Sequence, residues 1–127
     1  MINNYNLRKV RVIGKNIEDS LRKCGINSKV EYVNNNKVIA IQDDKIMLWL
    51  RLYAYGCNDK LNADISTIEI SPELRRRGTF ETICRRLKNC KYIDKLRITG
   101  VCTPEMNNWC KKHRLKEVNP MDYLVEF

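Results

Sequence analysis

The stretch Ile68-Glu69-Ile70-Ser71-Pro72-Glu73-Leu74-Arg75-Arg76-Arg77-Gly78-Thr79-Phe80 decides how this chain is read. It opens as a strand, passes through a tight basic loop with one glycine, and runs into a helical pattern that ends near Cys90. The start of a helix carries unpaired backbone N–H groups and the positive end of the macrodipole. A glycine beside it lets the backbone close on an anion, so the segment reads as a phosphate cradle.

Downstream of Gly78 the apolar period is helical: Phe80, Ile83, Cys84 and Leu87 make one stripe. Leu96, Ile98 and Val101 form a short strand after that helix, so the two strands flanking it should be parallel neighbours in a βαβ unit. Thr103 and Pro104 suit the N-cap and first position of a further helix, whose stripe is Met106, Trp109, Cys110 and His113. Lys116–Val118 and Tyr123–Phe127 read as closing strands.

Upstream, a strand over about 63–70 follows a loop at Gly56–Asn62. Before it, Ile46, Leu48, Leu50, Leu52 and Ala54 alternate along a long strand whose other face shows Met47, Trp49, Arg51, Tyr53 and Tyr55. Val30–Val33 and Lys37–Gln42 are joined by Asn34-Asn35-Asn36, residues that tolerate positive φ, and the block forms an antiparallel meander. The first third suggests a helix over about 15–24, stopped by Gly25; Gly14 interrupts the pattern before it, leaving a first strand or an earlier helical turn. The fold class expected is α/β with a mixed sheet, an antiparallel meander followed by a βαβ unit, with helices on both faces, as one domain over residues 1–127.

The chain has 127 residues and a net charge of +9. Residues 74–97 hold nine basic residues against Glu81 and Asp94, so most of the excess lies there. Such a field suits a nucleotide-like cofactor, a nucleic acid or an acidic protein; the ordinary alternative is a solvated helix face. No run approaches the roughly 20 apolar residues of a membrane span, and the N-terminal residues show no apolar signal region, so a cytoplasmic, reducing location is expected. The cysteines (Cys24, Cys57, Cys84, Cys90, Cys102, Cys110) contain no C-x-x-C pair. Cys110-x-x-His113 is one half-site without a partner, so the thiols read mainly as small core residues and no metal is expected.

The order of elements, with Arg75-Arg76-Arg77-Gly78-Thr79-Phe80 after the fourth meander strand and Met106 to Val118 near the end, resembles the GNAT family of N-acetyltransferases over about residues 28–127. The resemblance rests on the signature Arg/Gln-x-x-Gly-x-Gly/Ala, preceded here by Ile70-Ser71-Pro72-Glu73. It implies a sheet splayed between its fourth and fifth strands, with acetyl-CoA in the gap. Backbone amides from Arg75 to Phe80, including Arg76, Arg77, Gly78 and Thr79, would hold the pyrophosphate, and the exposed backbone at Ile68 and Ile70 would pair with the pantetheine arm. It also leaves room for a homodimer.

The chain departs from the family pattern at several places. Phe80 stands where a small residue is preferred, Arg114 where glycine is usual, and Leu115 where an aromatic is usual. Cys110 takes the position of a tyrosine that reprotonates the CoA thiolate, with Tyr123 as the other proton donor to weigh. Asp64, at a position where relatives often carry glutamate, is the preferred base for the acceptor amine; Glu69 is the second, and strand alternation puts the two on opposite faces. Two functions follow: acetyl transfer to an unidentified amine, or a non-catalytic protein of the same fold that binds nucleic acid or an acidic protein through residues 75–97. Trp49, Tyr53, Tyr55 and Trp109 are then candidates for stacking on bases.

Overall fold

The computed structural model describes residues 4–54 and 59–126. Its elements are α1 (Asn4–Lys23), β1 (Glu31–Val33), β2 (Val38–Gln42), β3 (Ile46–Ala54), β4 (Leu61–Ile70), α2 (Pro72–Arg76), α3 (Thr79–Lys88), β5 (Ile93–Ile98), α4 (Pro104–Lys112), β6 (Lys116–Asn119) and β7 (Asp122–Leu124). The strands form one seven-stranded sheet in the order β1-β2-β3-β4-β5-β7-β6. Every neighbouring pair is antiparallel except β4 and β5, which are parallel. The expected meander and βαβ unit are therefore present in an α/β fold with a mixed sheet. Tyr55 and Phe127 lie outside the described residues.

Helix α1 is longer than its sequence suggests. Val10, Ile13, Ile17 and Leu21 recur every three or four residues and are fully buried, so the stripe continues through Gly14. A Cβ at Gly14 would lie 2.2 Å from the Tyr32 hydroxyl, and glycine is what lets α1 cross β1 so closely. After Lys23 the chain turns at Gly25, and the Ile26 N–H donates to the Leu21 carbonyl at 2.9 Å. The β1–β2 hairpin turns through Asn34, Asn35 and Asn36, all left-handed, as their composition predicts.

One face of the sheet is the core. Ile39, Ile41, Ile46, Leu48, Leu50, Leu52, Ala63, Ile65, Leu96 and Ile98 share it and are buried against α1 and α3. Helix α4 joins them on the same side: its Trp109 ring lies 4.6 Å from the Phe80 ring of α3, and its Asn107 accepts from Tyr123, which pairs with Ile98. The expectation of helices on both faces is corrected here. The crossovers β4–α3–β5 and β5–α4–β6 step the same way along the sheet, and right-handed crossovers that do so place both helices on one face. No described helix covers the other face, which carries Met47, Trp49, Arg51, Tyr53, Asn62, Asp64 and Arg97.

A bulge in β4 corrects a second expectation. Trp49 pairs with Thr67 but Leu50 pairs with Ile65, which leaves Ser66 as an extra residue. One inserted residue reverses the alternation beyond it. Asp64 and Glu69 therefore lie on the same face, opposite Arg51 and Met47.

The turn after α4 explains an oddity of the sequence. Arg114 is left-handed, with φ of 57°, and the Leu115 N–H closes back onto the Cys110 carbonyl. A side chain in that conformation costs about 1–2 kcal/mol, so Arg114→Gly should raise stability by about 0.5–1 kcal/mol after the extra unfolded-state entropy of glycine. Urea denaturation of the two proteins checks this; a loss of stability would contradict it.

Candidate active site

Strand β4 stays paired to β3 as far as Ile70 opposite Ile46, but to β5 only as far as Ile65 opposite Ile98. The Thr99 N–H makes a last contact with the Ile65 carbonyl, and the chain then leaves toward α4. Beyond the bulge, one edge of β4 thus faces a gap. The Ser71 N–H donates to Lys45 on the β3 side, so alternation turns the peptide groups of Ile70 and Ile68 toward the gap. The Ile70 carbonyl accepts from Arg75 Nε at 2.9 Å. The Ile68 groups and the Ile70 N–H remain on the open edge, and the bulge decides that it is these two residues.

The gap is a cleft of about 560 Å³, within the range of small-molecule sites. Residues 68–70 of β4, Ser71, Arg75, Phe80, the α4 N-cap Thr103 and the α4 residues Glu105, Met106 and Trp109 line it, together with Asp43, Asp44 and Lys45 of the β2–β3 turn and Ile46 and Met47 of β3. Phe80 is buried and forms wall rather than obstruction. Its ring packs on Trp109, which stacks on His113 at 3.9 Å. His113 has both ring nitrogens on acceptors, Nδ1 at 2.9 Å from the Trp109 carbonyl and Nε2 at 2.7 Å from Glu81.

The His113 hydrogen bond, followed by that of Arg85, holds the Glu81 carboxyl below its ordinary range. A depressed folded value stabilises above the unfolded value and loses that contribution as pH falls through the folded one. Glu81→Gln should therefore lower stability slightly at neutral pH, where the paired carboxylate contributes, and leave it unchanged in acid once that carboxylate would be protonated, so the acid limb flattens, as read by urea midpoints across pH.

The basic loop contains a one-turn helix, α2, started by Pro72 and Glu73 and anchored by the buried Leu74. The Arg75, Arg77 and Gly78 N–H groups are used locally, on the carbonyls of Ser71, Leu74 and Arg75. The open donors belong to the next three residues. The Thr82 N–H closes the first turn of α3 on the Gly78 carbonyl, which leaves the N–H groups of Thr79, Phe80 and Glu81 without a partner in the helix. Gly78 caps α3 at φ of 67°, and a Cβ there would meet nothing within 4 Å, so the approach to these amides is open. Thr79 is fully buried and its hydroxyl has no hydrogen-bond partner.

Of the three arginines, Arg75 lines the cleft, Arg76 is exposed, and Arg77 is directed to the Cys24 carbonyl and Glu73, each at 2.9 Å. Arg85 and Arg86 likewise pair with Glu81 and Asp19. The cleft rim carries carboxylates as well: Asp43, Asp44, Glu69 and Glu105 against Lys45 and Arg75. The Asp43 carboxyl is held below its usual range by hydrogen bonds from Ser28 and the Lys45 N–H.

Of the catalytic candidates only Glu69 lines the cleft; Asp64, Cys110 and Tyr123 are not brought into it. Asp64 is buried on the uncovered face. Its carboxylate takes both Nε and Nη2 of Arg97, at 3.0 and 2.9 Å, with the Tyr53 hydroxyl at 3.2 Å and Arg51 at 3.4 Å. Cys110 is buried beside Cys84, and burial pushes its thiol up to about 11. Tyr123 donates to Asn107 at 2.8 Å, and burial, then Glu117 and Cys110, raise its hydroxyl above the ordinary value. Cys84 and Cys110 should therefore resist iodoacetamide in the native protein at about pH 8, while the exposed Cys102 reacts. Peptide mass spectrometry reads this directly; rapid labelling of Cys110 would contradict its burial.

Among the described residues no group of histidine, cysteine, aspartate and glutamate could hold a metal ion, and no helix is long and apolar enough to cross a membrane. Sequence reasoning missed the Asp64–Arg97–Tyr53–Arg51 network and the His113–Glu81 pair, whose members lie far apart in the chain and carry no spacing signal. Compared with known proteins, the chain matches no family model and no curated protein.

Proposed function

We propose that this chain is an N-acyltransferase of the GNAT type that takes acetyl-CoA in the gap between β4 and β5. The observation that carries the reading is the parting of β4 from β5 beyond Ile65 while β4 remains paired with β3 to Ile70. A sheet that opens in this way leaves unpaired backbone groups, and such groups require a partner. The open edge at Ile68 and Ile70 suits the amides of a pantetheine arm. At the end of that edge, the N–H groups of Thr79, Phe80 and Glu81, backed by the α3 dipole, suit a diphosphate, and Arg75 adds positive charge. The chain's residues thus fit the cofactor.

The bound cofactor supplies an acetyl thioester, and the protein's own part is to orient it and to receive the amine. Glu69, exposed on the cleft rim, is placed to take the proton of the acceptor amine, whereas Asp64 is committed to Arg97. Holding two substrates in register supplies much of the rate without a dedicated acid. Glu69→Gln should lower amine acetylation about a hundredfold at neutral pH and leave acetyl-CoA affinity unchanged, measured as thiol release across a panel of primary amines.

Calorimetric titration with acetyl-CoA tests the proposal. One-to-one binding in the micromolar range is expected. No heat at about millimolar cofactor would overturn it.

A further inference from the structure

We infer that the uncovered face of the sheet is a binding surface for single-stranded nucleic acid, separate from the acetyl-CoA cleft. Two grooves cross it, of about 460 and 500 Å³, and they share Tyr53 and Arg97, so each runs into the other. Lys37 and Arg51 line the first and Lys95 the second, with Arg97 at the junction. No carboxylate among the described residues lines either groove, in contrast to the cleft, which has four. Asp64 lies beneath the junction, but it is buried and its charge is met by Arg97.

The charge is presented outward: the Arg51 side chain is 63% exposed. The Tyr53 ring is half-buried at the meeting point, its hydroxyl fixed by Asp64 and by Arg97 Nη2 at 3.0 Å, so one aromatic stands rigidly among the cations. Trp49 lies four residues away on the same face of β3. Cations that track a backbone, with an aromatic ring between them, match a strand whose bases are unstacked; a duplex keeps its bases stacked and offers only their edges. This surface differs from the helical part of the basic window, where Arg77, Arg85 and Arg86 face the solvent-accessible carboxylates of Glu73, Glu81 and Asp19; here Arg51 and Arg97 share the single buried carboxylate of Asp64.

Fluorescence anisotropy of a labelled oligothymidylate of about twelve nucleotides tests the inference. Binding is expected to weaken about eighteenfold between 50 and 200 mM salt if three phosphates are neutralised. Lys37→Ser, Arg51→Ser and Lys95→Ser should each reduce the salt slope by about 0.7. Tyr53→Leu should cost about tenfold while Tyr53→Phe, which keeps the ring, costs little. Lys88→Glu on α3 and saturating CoA should leave binding intact. Absence of binding at low salt, loss with Lys88→Glu instead of the sheet variants, or equal displacement by polyglutamate would overturn it. Urea midpoints of the serine variants, expected close to the parent's, separate lost binding from lost folding.

Discussion

Arg97→Met is expected to destabilise the protein by about 3 kcal/mol, the largest single effect outside the apolar core. The Asp64 side chain is 1% exposed and accepts two hydrogen bonds from the Arg97 guanidinium. Removing one partner of a buried pair leaves the other's charge without solvent or counter-ion, at roughly 3–5 kcal/mol. The lower end applies because Arg97 is itself 29% exposed and Arg51 stays near the carboxylate. Adding Asp64→Asn removes the stranded charge while keeping an acceptor for the Tyr53 hydroxyl, so the double variant should recover about half of the loss. Urea denaturation of the four proteins closes the cycle. A loss below about 1 kcal/mol for Arg97→Met would mean that the pair behaves as a surface salt bridge.

Gly78→Asp should reduce acetyl-CoA binding at least a hundredfold while the fold survives. Aspartate tolerates left-handed backbone better than most residues, and its Cβ would enter open space, so the cost to stability is about 1 kcal/mol. Its carboxylate would sit at the start of α3, where it competes for the N–H groups of Thr79, Phe80 and Glu81 and repels a diphosphate. Gly78→Asn has the same shape without the charge and should lose less. Calorimetry on the three proteins measures the difference. Equal binding by all three would place the phosphates elsewhere.

The α/β class, the strand order of the meander and the parallel β4–β5 pair were legible because period and turn chemistry are local signals. Asn34–Asn36, the Pro104 helix start and the stripe Phe80, Ile83, Cys84 and Leu87 each carried one. The bulge at Ser66 was not legible, since nothing in Ile65-Ser66-Thr67 distinguishes a bulged strand from a straight one, and it moved Glu69 to the face of Asp64. The full length of α1 is hidden in the sequence because Gly14 resembles a helix break, whereas its role is contact with Tyr32 across 18 positions of sequence. Placement of the helices on one face was recoverable from handedness alone. The stripe Met106, Trp109, Cys110 and His113 anticipated the burial of Cys110, whereas the burial of Tyr123 carried no local signal, because it depends on how α4 meets β7.

The most direct measurement is amide chemical-shift mapping of the labelled protein as acetyl-CoA is added. The largest shifts are expected at Ile68, Ile70, Thr79, Phe80 and Glu81, with Arg51 and Arg97 on the far face unmoved. Shifts confined to other residues, or none at saturating cofactor, would contradict an acetyl-CoA site in the gap between β4 and β5.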